Sequence, residues 1–350
     1  MQRDSELARR LQRFLEDDVV EGAAFTAAVV AVSRTGLRMA TAVAGWRDPE
    51  QRLSAQQSDL FDLASLTKPW VATLGVALDG DGVLPLETPL GEIWSQAPSH
   101  LAARTCEDLL RHRSGLRPWA PIYELCRDDR DVLEVLGHPD LAGAPHGTYS
   151  DLGYLLWRLL AERALGRSVA ELLPTRLGPL AGGLRVAPVG GPGVVSCAMG
   201  TAREVELARE LELEVPDLGP PTPGEAQDGN ARFLGGLAGH AGLFAPIGTV
   251  LALGQAWLEP TSSPSPSECA RALGGQGDFA LGWWRRQPGG AGKAVFSPAA
   301  FGHTGFVGGS LWVDPERSLV VAMLGHRRDP FLDLAPLRAK LHRLVIEDQP

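Results

Sequence analysis

Strand-type segments stand near both ends of this chain, and helical patterns fill the interval between them. Ala24–Ser33 is a run rich in Val and Ala, Thr35-Gly36 supplies a turn, and Arg38–Trp46 reads as the return strand of a hairpin. Far downstream, Phe279–Arg285, Ala294–Ser297, Phe301–Thr304, Ser310–Asp314 and Ser318–Leu324 read as antiparallel strands, with a tight turn at Asp314-Pro315-Glu316-Arg317. The fold class expected is therefore α/β (α+β): an antiparallel sheet flanked by helices, made from both chain ends, with an inserted all-helical region. One unit over residues 1–350 divides into a discontinuous α/β part, 1–63 plus 275–350, and a helical part, 64–274. A cleft is expected where the two meet.

Helices are predicted at Leu7–Leu15, where Leu7, Leu11, Phe14 and Leu15 share one face, and from Ser65 to Leu78, ended by Asp79-Gly80-Asp81-Gly82. Others start at Thr105, a capping residue, and run over Tyr123–Leu136, Leu152–Leu165 and Leu332–Ile346. The segment Pro188–Pro223 is rich in Gly and Pro and reads as a surface excursion; Pro260–Ser267 reads as a linker.

The 350 residues, 44% hydrophobic, are enough to bury a large core. A formal charge of −9 without Lys/Arg runs argues against nucleic acid and against a polybasic membrane patch. The N-terminus is acidic where a secretory signal is basic and then apolar, and no run approaches the ~20 apolar residues of a membrane span. Together these predict a cytoplasmic protein with small-molecule partners; oligomeric state is open. Cys106, Cys126, Cys197 and Cys269 lie far apart, and the eight histidines show no metal-ligand spacing, so reduced thiols, no metal and no cofactor are expected.

Ser65 and Lys68 stand three residues apart where an extended segment, Leu60-Phe61-Asp62, gives way to helix. The next turn brings the lysine amine onto the serine's face, close enough to take its proton. The free amides and positive dipole of a helix N-terminus favour the charge that develops when serine attacks a carbonyl. Pro69 costs nothing in a first turn, where mid-helix it would cost about 3 kcal/mol. By itself Ser-x-x-Lys is a weak signal, equally met by a capping serine and a surface lysine.

Two further polar sets fall at the cleft: Tyr149-Ser150-Asp151 at a loop-to-helix junction and His303-Thr304-Gly305 on a late strand. With Ser65-Leu66-Thr67-Lys68 they resemble the Tyr-x-Asn, Lys-Thr-Gly and Ser-x-x-Lys boxes of the serine β-lactamase and penicillin-recognising hydrolase superfamily, in its class C β-lactamase, D,D-peptidase and CubicO-type esterase branch. Asp108–Leu116 and Leu311-Trp312-Val313-Asp314-Pro315 resemble supporting segments of that family, so the likeness spans most of the chain.

The resemblance implies a β-lactamase/D,D-peptidase-like fold and acyl transfer through Ser65, with Lys68 and Tyr149 as general base. It implies an oxyanion hole from the backbone amides of Ser65 and Phe306, and substrate binding by Asp151, His303, Thr304 and Gly305. Arg327, after the last strand, is a candidate carboxylate binder, set against a solvated loop arginine. Asp151 replaces the family's asparagine and is expected to raise the Lys68 pKa and shift base work to Tyr149. His303 replaces lysine, so the cation is expected to be partly charged at neutral pH, with affinity for acidic substrates falling as pH rises through about 6.5. His240 is expected to hold a loop against the cleft, His112 to be a buried, hydrogen-bonded histidine, and the Trp residues to fill core. The expected activity is hydrolysis of a small ester, amide or lactam. Alternatives are a D,D-peptidase or β-lactamase, and a catalytically retired binding or scaffold member.

Overall fold

The computed structural model describes residues 2–22, 24–34, 37–261, 264–285 and 295–347. The predicted turn Thr35-Gly36 and the start of the predicted strand at Ala294 lie outside them.

Both chain ends contribute to a seven-stranded antiparallel sheet. Its strands are β1 (Phe25–Arg34), β2 (Leu37–Asp48), β3 (Leu53–Ser54), β7 (Trp284–Arg285), β8 (Phe301–Thr304), β9 (Ser310–Asp314) and β10 (Leu319–Arg327), in the order β3-β2-β1-β10-β9-β8-β7. A second, three-stranded sheet orders β4 (Phe61–Asp62), β6 (Leu243–Ala245) and β5 (Arg185–Val186) as β4-β6-β5. The hinge of the large sheet is β1 against β10, where Val29 faces Leu324 and Ala31 faces Ala322.

Alternation along a strand sends neighbours to opposite faces, and here both faces are covered. Val29, Ala31, Leu311, Val313, Val320 and Ala322 join the core formed with helices Thr67–Gly80 and Ile247–Leu258. Val30, Val32, Trp312 and Val321 join a second core with Leu7 and Leu11 of the first helix and Leu341 and Val345 of the last. That double burial is why β1 reads as an unbroken apolar run.

Several predicted elements are shorter. Phe279–Arg285 contributes only Trp284–Arg285, and Val295–Ser297 is turn rather than strand. Tyr123–Leu136 is broken into Ile122–Leu125 and Val132–Leu136. The supposed surface excursion contains helix Ala202–Arg209, the linker runs into helix Pro266–Leu273, and Ile247–Leu258 was not anticipated. Trp257 of that helix donates from Nε1 to Thr73 Oγ1 (3.0 Å), fixing it to the helix that follows Ser65. Among the described residues, no helix is long and apolar enough to cross a membrane.

Candidate active site

Strand β4 delivers the chain to a single 3-10 turn, Ala64–Leu66, and then to the helix Thr67–Gly80. Ala64 has φ +44°, a left-handed conformation unusual for a residue with a Cβ. The Asp62 carboxylate holds this turn: Oδ1 accepts from the Ala64 amide (2.8 Å) and Oδ2 from the Gln227 amide (2.7 Å). Burial pushes the Asp62 carboxyl up to about 6.

Within the first turn, Lys68 Nζ donates to Ser65 Oγ at 2.8 Å. The same nitrogen lies 2.7 Å from Asp151 Oδ1 and donates to the His240 carbonyl at 3.4 Å. It also sits 4.8 Å from the centre of the Tyr149 ring. Lys68 is 0% exposed. Burial lowers its pKa, and Asp151 opposes that without reversing it. Asp151 does act upward on Lys68 as expected, but desolvation of the ammonium outweighs the carboxylate and the net shift is downward. Tyr149 moves the other way: burial and then Asp151 push its phenol well above the usual range, while the Ser65 side chain lowers it. The two shifts are opposed: the Lys68 ammonium is pushed toward losing its proton and the Tyr149 phenol toward keeping it.

The Tyr149 ring stacks on Trp284, centroids 5.3 Å apart, and against His112 at 4.5 Å. His112 is buried as expected, with Nδ1 accepting from the Ser150 amide (3.0 Å). The Ser150 hydroxyl caps the helix Asp151–Leu165 by accepting from Gly153 N, which sets Asp151 in the first turn, pointing at Lys68.

Opposite Ser65, β8 carries His303 and Thr304 into Gly305-Phe306. A Cβ on Gly305 would come within 2.7 Å of the Leu63 carbonyl, so only glycine lets this strand end lie against the nucleophile turn. Among the described residues, neither the Ser65 nor the Phe306 amide has a hydrogen-bond acceptor. His303 is 2% exposed. Its Nδ1 faces the Thr304 carbonyl at 2.8 Å and so carries the proton, leaving a lone pair on Nε2. Burial, with Lys68 nearby, drops the imidazole to about 3. His303 is therefore neutral at pH 7 and not the partly charged cation expected, which removes the expected loss of acidic-substrate affinity through pH 6.5.

Arg327 reaches the cleft but is no solvated loop residue. Its guanidinium stacks over Phe306 (4.9 Å) and donates to the carbonyls of Asp329, Phe306 and Pro330. Arg338, from the last helix, donates to the carbonyls of Gly305, Gly308 and Gly309. The pair clamps the loop after β8.

Sequence reasoning missed the remaining wall. Asp228 caps the short helix Gly229–Phe233: its Oδ1 accepts from Ala231 N (2.8 Å) and meets His240 Nε2 (3.2 Å). Burial raises its pKa, but His240 and that amide prevail and hold it below the usual carboxylate range. Glu204 accepts from Gly229 N at 2.9 Å; burial and then Asp228 push it up to about 8. His240, 1% exposed, does hold the glycine-dense loop against Lys68, as expected. Trp119 and Trp284 line the cleft instead of filling core, whereas Trp312 is core, stacked on Phe296. The cleft these groups enclose is about 390 Å³. No group of three or more His, Cys, Asp or Glu side chains suited to a metal occurs among the described residues.

Comparison with known proteins places these groups in a wider set. The family model described as Beta-lactamase matches residues 7–344. An N-acetylmuramyl-L-alanine amidase of Bacillus subtilis (strain 168) is 25% identical, over 93% of this chain and 82% of its own. A putative D-alanyl-D-alanine carboxypeptidase of Escherichia coli (strain K12) is also 25% identical, over 79% and 71%. Among solved structures, EstCE1, a hydrolase with promiscuous acyltransferase activity, superimposes with a TM-score of 0.76 at 16% identity, over 98% of this chain and 99% of its own.

Proposed function

From the premise that this chain belongs to the beta-lactamase family, within the serine hydrolase superfamily of β-lactamases and penicillin-binding proteins, we propose that it cleaves a small ester or amide through an acyl-Ser65 intermediate. The observation that carries this reading is the 2.8 Å contact of a fully buried Lys68 Nζ with Ser65 Oγ. A lysine stripped of water releases its proton far more readily than a surface one, and as free amine it accepts the serine proton while Oγ attacks the carbonyl. The developing oxyanion sits between the amides of Ser65 and Phe306, neither of which has an acceptor among the described residues; one such donor is typically worth about 3 kcal/mol of barrier. Collapse expels the leaving group, which takes a proton from Lys68 or from the Tyr149 phenol, and water then releases the acyl group by the reverse sequence. Asp151 orients Lys68, and Thr304 and Gly305 form the opposing wall. In this reading the α/β part is 1–63 plus 275–350 and the helical part 64–274, with the site at their junction.

The test is hydrolysis of p-nitrophenyl butyrate by wild type and by Ser65→Ala, each checked for folding by circular dichroism. Turnover by wild type, at least about 10³-fold reduced in the folded variant, is expected. A mass shift on the Ser65 peptide during turnover identifies the acyl-enzyme. Undiminished hydrolysis by Ser65→Ala rejects the reading. A D,D-peptidase is the second reading, favoured by the muramyl amidase and carboxypeptidase relatives; penicilloyl labelling of Ser65 at low penicillin concentration would support it.

A further inference from the structure

The charge of the cleft is unusual for a site that holds its substrate by a carboxylate. His303 presents a lone pair: its proton is on Nδ1, committed to Thr304 O, and Nε2 has no partner among the described residues although the side chain is 2% exposed. Arg327 donates to the main-chain carbonyls of Phe306, Asp329 and Pro330, and Arg338 donates from one terminal nitrogen to those of Gly305, Gly308 and Gly309 while its buried Nε has no partner among the described residues. Lys68 lies against Asp151, and Arg203 at the rim is paired with Glu206. Each of these described cations is already engaged with a protein acceptor.

Acceptors dominate the other wall. Asp228 lines the cleft, its Oδ1 already taken by Ala231 N and His240 Nε2, so Oδ2 is the atom left to meet a ligand. Glu204, 8% exposed, stands behind it on the Gly229 amide. An anion entering on this side would face a fixed carboxylate and an imidazole lone pair, whereas an ammonium would meet both favourably.

We propose that the cleft selects acyl donors bearing a protonated amine held by Asp228, with hydrogen-bond donors facing His303 Nε2: aminoacyl or peptidyl esters and amides, not carboxylate-anchored substrates. The proposal rests on the acyl-Ser65 reading only for the choice of cleft.

The test avoids turnover. Binding of three p-nitroanilides to Ser65→Ala is measured by titration calorimetry: 6-aminohexanoyl (cationic), hexanoyl (neutral) and adipoyl (anionic). The cationic ligand should bind at least about tenfold more tightly than the anionic one. Asp228→Asn in that background should erase most of the preference. Because Asp228 also caps a helix, His303→Lys serves as a second variant and should strengthen anion binding by about tenfold. Equal affinities, tighter binding of the anion, or no saturable binding of the amine by the folded Ser65→Ala protein overturns the proposal. Persistence of ester hydrolysis in Ser65→Ala is a separate result, which tells against the acyl-Ser65 reading and leaves this binding measurement standing.

Discussion

Lys68 is held between two opposed influences, and the balance is set by individual side chains. Burial drives off its proton and Asp151 retains it. Asp151→Asn removes the retaining charge, so the Lys68 pKa falls further and the acid limb of the kcat/KM profile should move to lower pH; an unmoved limb would show that another group titrates there. Glu204 gives a stability counterpart. Its native pKa of about 8 lies above the about 4.3 of an unfolded glutamate. The unfolded chain therefore loses its proton first, and stability falls as pH rises from about 4 until it levels near 8. Glu204→Gln erases that loss, so its melting temperature should gain on wild type progressively between pH 5 and pH 8. An offset constant across that range would mean that Glu204 ionises normally. At this scale Ser65, Lys68 and Tyr149 were legible because fixed residue types recur at fixed spacing. Asp228 and Glu204 were not: Asp228 stands in a Pro- and Gly-rich stretch with no periodicity, and Glu204 is one of several glutamates in an acidic run, so neither context betrays which way the side chain faces.

Between elements, the site depends on how closely β8 approaches the nucleophile turn. Gly305→Ala places a methyl 2.7 Å from the Leu63 carbonyl, and either the turn or the strand end must retreat. A retreat of even a fraction of an ångström separates the two oxyanion amides. The expected outcome is a kcat lowered by about 10²-fold with KM little changed and thermal stability reduced. Wild-type kcat would show that the two amides do not act together. The strands of the large sheet were readable because both faces are buried and the apolar runs are continuous. Helix Ile247–Leu258 escaped notice since it packs against the sheet and against helix Thr67–Gly80, leaving little polar face to mark a 3.6-residue repeat. Tyr123–Leu136 misled in the opposite sense: its apolar spacing suits a helix, but Asp128 caps a separate turn at Arg130 and divides it.

Across the whole molecule, the pairing of β1 with β10 joins residues about 300 positions apart, such as Val29 with Leu324. Closing so long a loop before any contact rewards it makes folding slow. Refolding from denaturant should therefore take seconds or longer, with the proposed hydrolase activity and sheet formation recovering at one rate; activity that returned ahead of the sheet would contradict this. The same pairing orders events during synthesis. Ser65 and Lys68 leave the ribosome long before Phe306 and Arg327, and β10, which ends at Arg327, can join β1 only after Phe306 has emerged. On the proposed reading, a growing chain thus carries Ser65 long before the second oxyanion amide, Phe306, and cannot act on an ester or amide until that residue has emerged and the sheet has closed.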